Sequence, residues 1–187
     1  RQMCIRDSLN IKHGKLTMDN RGDYWIFNHT GCLTYITADS GKIKEFRLIP
    51  QDKLSYIDFE RYHIVHDSRG IIWISTYGNG LFAYDTAEDK LEHFLANIND
   101  KSHIASDFLL YVMEDRSGGI WVSSEYSGLS HISVLNEGTS RIYPESPDLF
   151  DRSNTIRMLT KTSDGDIWFG TRRGGLYTIC LLYTSPS

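Results

Sequence analysis

Two histidines three residues apart, His63 and His66, and two acidic groupings, Glu114-Asp115 and Asp164-Gly165-Asp166, are the first places where this chain could do chemistry. On a helix the two histidines would share a face and suit a metal ion. The run Tyr62-His63-Ile64-Val65-His66 is β-branched and aromatic, so it reads as a strand. On a strand the two rings do not face one another, and no metal site is expected. The acids could act as paired carboxylates. They fall in the same turn of successive repeats, however, as Asp19 and Asp67 do, and a role repeated in that way is structural. An aspartate there bonds the backbone of its own turn. The chain has no Gly-x-Ser-x-Gly elbow, no P-loop, no His-Glu-x-x-His and no Cys-x-x-Cys. No catalytic residue, metal ligand or cofactor is therefore assigned.

Binding is the chemistry that remains. Four turns carry polar and aromatic residues that differ from one repeat to the next: His29 and Thr30, Tyr77 and Asn79, Glu125 and Tyr126, Arg172 and Arg173. Together they offer aromatic, amide, carboxylate and guanidinium groups, a set suited to a polar ligand such as an oligosaccharide or uronic acid. Arg172 and Arg173 suit a carboxylate or sulfate through bidentate geometry. Tyr77 and Tyr126 suit a sugar face. The plainer reading is a solvated rim, since loops are polar in any case.

What positions these turns is a repeat. The chain's four tryptophans, Trp25, Trp73, Trp121 and Trp168, stand 48, 48 and 47 residues apart. Each follows a glycine by three positions (Gly22, Gly70, Gly118, Gly165) and precedes a leucine by eight (Leu33, Leu81, Leu129, Leu176). Gly80, Gly128 and Gly175 precede three of those leucines, and Cys32 takes that place in the first repeat. A fixed period of this length means stacked or circular supersecondary units. Within a unit, short β-branched and aromatic runs alternate with Gly, Asn, Asp and Ser clusters, the pattern of strand and hairpin turn.

The strands are expected at 14–18, 23–28, 32–37 and 43–49, then 61–66, 71–76, 80–85 and 90–95. A third set falls at 109–114, 119–124, 128–133 and 138–143, and a last, three-stranded set at 156–162, 166–171 and 175–179. Four antiparallel strands per unit make a β-propeller blade, so the fold class is all-β, with almost no helix. In Ile71-Ile72-Trp73-Ile74 adjacent residues are all apolar, which requires cover on both faces of the strand. The tryptophans could stack on sugars. A residue fixed at one blade position and flanked by apolar neighbours is read instead as inter-blade core.

These residues resemble the two-component regulator propeller repeat. Gly165-Asp166-Ile167-Trp168-Phe169-Gly170-Thr171 with Gly174-Gly175-Leu176-Tyr177 is nearly its consensus. Gly119 to Ser124 and Ile71 to Thr76 are close to it, and Tyr24 to His29 is the most diverged copy. The resemblance runs from about residue 14 to 179. It implies a non-catalytic sensor module of a hybrid two-component regulator, periplasmic or otherwise extracytoplasmic, of the kind found in Bacteroides-like bacteria. It further implies an oligosaccharide ligand, the remaining blades of the same propeller as partners, and pairing between two copies of the parent protein. The competing readings are a propeller enzyme, a lyase or hydrolase, and a scaffold for protein partners.

Residues 1–8 and 180–187 fit no repeat. Both resemble translated sequencing-adapter DNA of the kind found at the ends of reading frames from metagenomic assemblies, and both are expected to lie outside the native fold. Residues 9–179 are expected to be a four-blade portion of a larger propeller. Seven blades are usual in the family and would need roughly 336 residues. Net charge is −4 with both signs interspersed, which argues against nucleic acid as a partner. No apolar run is long enough to span a bilayer. Of three cysteines only Cys32 lies in a repeat, so no disulfide framework exists.

Overall fold

A computed structural model describes residues 14–56, 61–133, 138–144, 146, 148 and 151–180. The ends at 1–8 and 181–187 lie outside the described residues. Two compact units divide the chain at Ser55.

The first unit holds one antiparallel sheet in the order β1 (Gly14–Met18), β2 (Tyr24–Asn28), β3 (Cys32–Ile36) and β4 (Ile43–Arg47). Trp25, Phe27, Leu33 and Ile36 are buried. The turn between β2 and β3 is tied by Asn28, whose Oδ1 accepts the amides of Thr30 and Cys32. Here the positive φ, +74°, falls on Gly31. The glycine of the other repeats has moved one place earlier, which is why Cys32 can begin the strand.

The second unit begins with β5 (His63–His66), β6 (Ile71–Ser75), β7 (Leu81–Asp85) and β8 (Lys90–Phe94). Next come β9 (Leu109–Glu114), β10 (Ile120–Ser124), β11 (Leu129–Ser133) and β12 (Gly138–Ile142). Last are β13 (Ile156–Lys161), β14 (Ile167–Thr171) and β15 (Leu176–Ile179). They form two four-stranded sheets and one three-stranded sheet, each strand paired only with its chain neighbours. These are propeller blades, the last with three strands among the described residues. Among the described residues the helical content that the sequence did not signal is two 3-10 segments, Gln51–Tyr56 and Arg152–Asn154.

Within this unit the blades pack face to face. β9 lies on β5 and β6, and β13 lies on β9 and β10. Trp73 packs with Leu109, Val112, Ile120 and Ile132 of the next blade. Trp121 packs with Ile156, Leu159, Ile167 and Phe169 of the one after. Both indoles are therefore inter-blade core, at 3% and 2% exposure. Burial of that extent makes truncation cost about 3–5 kcal/mol.

Each of the first three tryptophans is also hydrogen-bonded to an aspartate six residues earlier. The indole nitrogens of Trp25, Trp73 and Trp121 donate to Oδ2 of Asp19, Asp67 and Asp115 at 3.1, 2.9 and 2.7 Å. The other carboxylate oxygen takes two turn amides: Arg21 and Asp23, Arg69 and Ile71, Ser117 and Gly119. Turn and core are thus fastened by one side chain.

The fourth repeat departs from the others. The residue six before Trp168 is Thr162, not an acid, and its hydroxyl accepts only the Asp166 amide, at 3.2 Å. Trp168 is half-buried rather than buried. The acids Asp164 and Asp166 sit two and four places further along, so they do not share the position of Asp115.

Candidate functional site

The inner two strands of each blade run antiparallel, so the start of the first and the end of the second share one end of the blade. In the second unit this brings together the approaches to β5, β9 and β13 and the turns that follow β6, β10 and β14. Glu125 opens the turn after β10. Its amide donates to the Phe108 carbonyl at 2.9 Å, and its own carbonyl accepts from the Thr155 hydroxyl. Backbone bonds on both sides fix it, and only 2% of the residue is exposed.

Three guanidinium groups surround that carboxylate. Arg61 donates from Nη1 to Oε2 at 3.3 Å. Arg157 Nη2 and Arg172 Nη1 each lie 3.7 Å from Oε1. The three come from two blades and Glu125 from the blade between them. A carboxylate buried without partners would be costly, and the arginines offset that cost.

An aromatic group borders the cluster. The Arg61 guanidinium lies 4.8 Å from the centroid of the Tyr77 ring, a cation–π contact. Tyr77 meets Phe108 edge to face at 5.2 Å and shares a β-bridge with it. Phe108 is 45% exposed. Burial first, then the Glu125 charge, hold the Tyr77 phenol above its ordinary pKa.

Local backbone irregularity aims Arg157. The pairing of β13 with β14 runs Ile156 to Thr171 and then Met158 to Gly170, so Arg157 is a bulged residue with no partner in the ladder. The same bulge occurs at Leu110, where Ser123 faces Tyr111 and Ser124 faces Leu109. Leu110 and Arg157 both stand eleven residues before their tryptophan. A bulge redirects a side chain without ending the strand.

Of the residues singled out in the sequence, Tyr77, Glu125, Tyr126 and Arg172 are brought together here. Arg173 is exposed, and its charge helps lower the Asp151 pKa after the Ser153 amide and hydroxyl and the Ser146 side chain. Asn79 lies apart from the cluster. Its carbonyl accepts from His93 Nε2 at 2.7 Å, and the His93 ring stacks on Phe82 at 4.1 Å. His29 is half-buried in the first unit's Asn28–Gly31 turn. Arg61, Phe108 and Arg157 were not singled out in the sequence. The signal that finds them is antiparallel pairing: the strand that starts near 156 must begin beside the turn that opens at 172. Among the described residues no group of three or more His, Cys, Asp or Glu side chains could hold a metal ion. No helix among them is long and apolar enough to cross a membrane.

Comparison with known proteins places the fold. Residues 152–173 match the two component regulator propeller family. The chain resembles the extracellular domain assigned to the hybrid two component system BT3049 of B. thetaiotaomicron, with 20% identity and a TM-score of 0.71, over 92% of this chain and 24% of that one. It also resembles the extracellular domain assigned to the one component system BT4673 of the same organism, with 16% identity and a TM-score of 0.65, over 93% and 22% of the two chains. The WD40 β-propeller domain of Doa1 matches at 14% identity and a TM-score of 0.61, over 88% of this chain and 49% of that domain. No curated protein sequence matches. The chain spans about a quarter of the length of the two Bacteroides domains. At these identities the likeness establishes the β-propeller fold.

Proposed function

We propose, from the match of residues 152–173 to the two component regulator propeller family, that the protein is the non-catalytic sensor propeller of a two-component signalling protein. The module works outside the cytoplasm, as part of a propeller completed by further blades. Its ligand is a polar saccharide. The seat is the end of the second unit where Tyr77, Tyr126 and the Glu125 cluster meet.

The observation that carries this reading is that convergence. Glu125 and its arginines, with Tyr77 and Phe108 beside them, combine flat aromatic surface with oriented charge at the end of the blades. Saccharide recognition needs both: a ring face against apolar CH groups and directional donors for hydroxyls. The matched repeat, 152–173, contains Arg157 and Arg172. Signalling follows if a ligand draws three blades together, since it then favours one arrangement of them over another.

Calorimetric titration of the chain with a panel of neutral and acidic oligosaccharides tests the proposal. The expected result is saturable binding without product formation, weakened by substitution of Tyr77 or Tyr126 with alanine. Turnover of a glycosidic bond, or no binding across the panel, would overturn it.

A further inference from the structure

We infer that the Arg61–Arg157–Arg172 cluster is an anion seat, and that the ligand recognised there carries a carboxylate or sulfate. This rests on the saccharide-sensor reading and names the chemical class of the saccharide.

Among the described residues the charge at Arg157 and Arg172 does not balance: two guanidinium groups face one carboxylate. Among the described residues Glu125 is the only acid in ion-pair range of Arg157 and Arg172. At 3.7 Å neither of those two is hydrogen-bonded to it, because a charge-assisted N–H···O bond is about 2.7–2.9 Å long. Their donors are oriented by Glu125 yet not consumed by it. Both nitrogens approach the same oxygen, so they cannot be further apart than twice that distance. An oxyanion accepting from both at ordinary hydrogen-bond length spans such a gap.

The site is also accessible and aimed. The Arg157 and Arg172 side chains are 42% and 47% exposed, so an anion reaches them without a structural opening. Arg157 stands on a bulge, outside the ladder, and Arg172 opens the turn across from it. Its amide is fixed by the Thr155 carbonyl at 2.9 Å. Glu125 is the positioning residue. It holds Arg157 and Arg172 against their mutual repulsion.

The experiment uses the whole chain at low ionic strength, with inorganic sulfate, D-glucuronate and D-glucose as probes. Binding is read from the arginine Nε–H resonances and by titration calorimetry. Sulfate and glucuronate should bind and glucose should not, with affinity falling as chloride rises. The double variant R157Q/R172Q should lose about tenfold or more. R173Q should stay within about twofold, because Arg173 makes no ion pair with Glu125 among the described residues. Near-ultraviolet circular dichroism identical to the parent's shows that the double variant is folded. Equal binding of glucose and glucuronate, or anion binding untouched in the folded double variant, would overturn the inference. If neutral oligosaccharides bind and these anions do not, the sensor reading stands and the anion seat falls. If arginine-dependent anion binding appears but no oligosaccharide binds, the seat stands and the saccharide reading falls.

Discussion

The indole nitrogen of Trp121 donates to Asp115 at 2.7 Å, across the turn that separates β9 from β10. The ring fills the space between two blades while its one polar atom fastens the turn below. Trp121→Ala should therefore cost about 3–5 kcal/mol in denaturant unfolding. Trp121→Phe keeps most of the apolar volume but leaves the carboxylate one donor short, and should cost about 1–3 kcal/mol. A Trp121→Phe variant as stable as the parent would show that the hydrogen bond contributes nothing.

Acid should destabilise the protein through the three aspartates of this arrangement. Burial alone would raise their pKa values. The indole bonds and the turn amides outweigh it for Asp19 and Asp67, and for Asp115 the His131 ring and the Ser117 hydroxyl add to them. All three titrate below the ordinary 3.8. Their folded values lie below the unfolded ones, so this stabilisation is complete above about pH 4 and is lost as pH falls toward the folded values. Melting temperature should be flat from pH 7 to 5 and drop steeply below pH 4. Asp115→Asn should melt lower at pH 7 and show a shallower acid slope.

Restoring the missing acid should tighten the fourth blade. Thr162→Asp places a carboxylate six residues before Trp168, the spacing used in the other three repeats. The expected gain is about 0.5–1.5 kcal/mol. It should show as a higher denaturant midpoint and a downfield shift of the Trp168 indole proton. An unchanged indole resonance would mean that the blade does not adopt the arrangement of the others.

Two glycines at the same repeat position should respond differently to alanine. A Cβ on Gly128, φ +64°, would meet the Ile142 carbonyl oxygen at 2.1 Å, so backbone must move. On Gly175, φ +128°, it would meet nothing within 4 Å. Gly128→Ala should cost about 2–5 kcal/mol, from left-handed strain together with overpacking. Gly175→Ala should cost about 1–2 kcal/mol, from strain alone. Differential scanning calorimetry of the two variants reads the difference.

The strands were legible in the sequence because each is bounded by Gly, Asn or Asp turns, and no strand boundary differs from expectation by more than two residues. Trp25, Trp73 and Trp121 were legible as core because their neighbours are apolar on both sides, whereas Trp168, with apolar neighbours too, is only half-buried. Their bond to aspartate was not sought, although the spacing of six is visible in three repeats. Tyr77, Glu125, Tyr126 and Arg172 were legible because they vary where the repeat is otherwise fixed. Arg61 and Arg157 were not, because a search confined to the turns passes over the strand approaches. A bulge has no signature in residue type: Leu110 and Arg157 share the position and nothing else. Arg173, beside Arg172 in sequence, makes no ion pair with Glu125 among the described residues.

The bulge at Leu110 and Arg157 separates recognition from architecture. A residue already excluded from the ladder gives up no pairing when it is exchanged, and the strand before and after it keeps its register. The two blades that hold Leu110 and Arg157 thus each carry one interchangeable slot at the same repeat position. A leucine in one blade and an arginine in the next are two settings of it. Redesigning what this surface recognises is then a matter of rewriting single letters eleven places ahead of Trp121 and Trp168, with the blades themselves left alone.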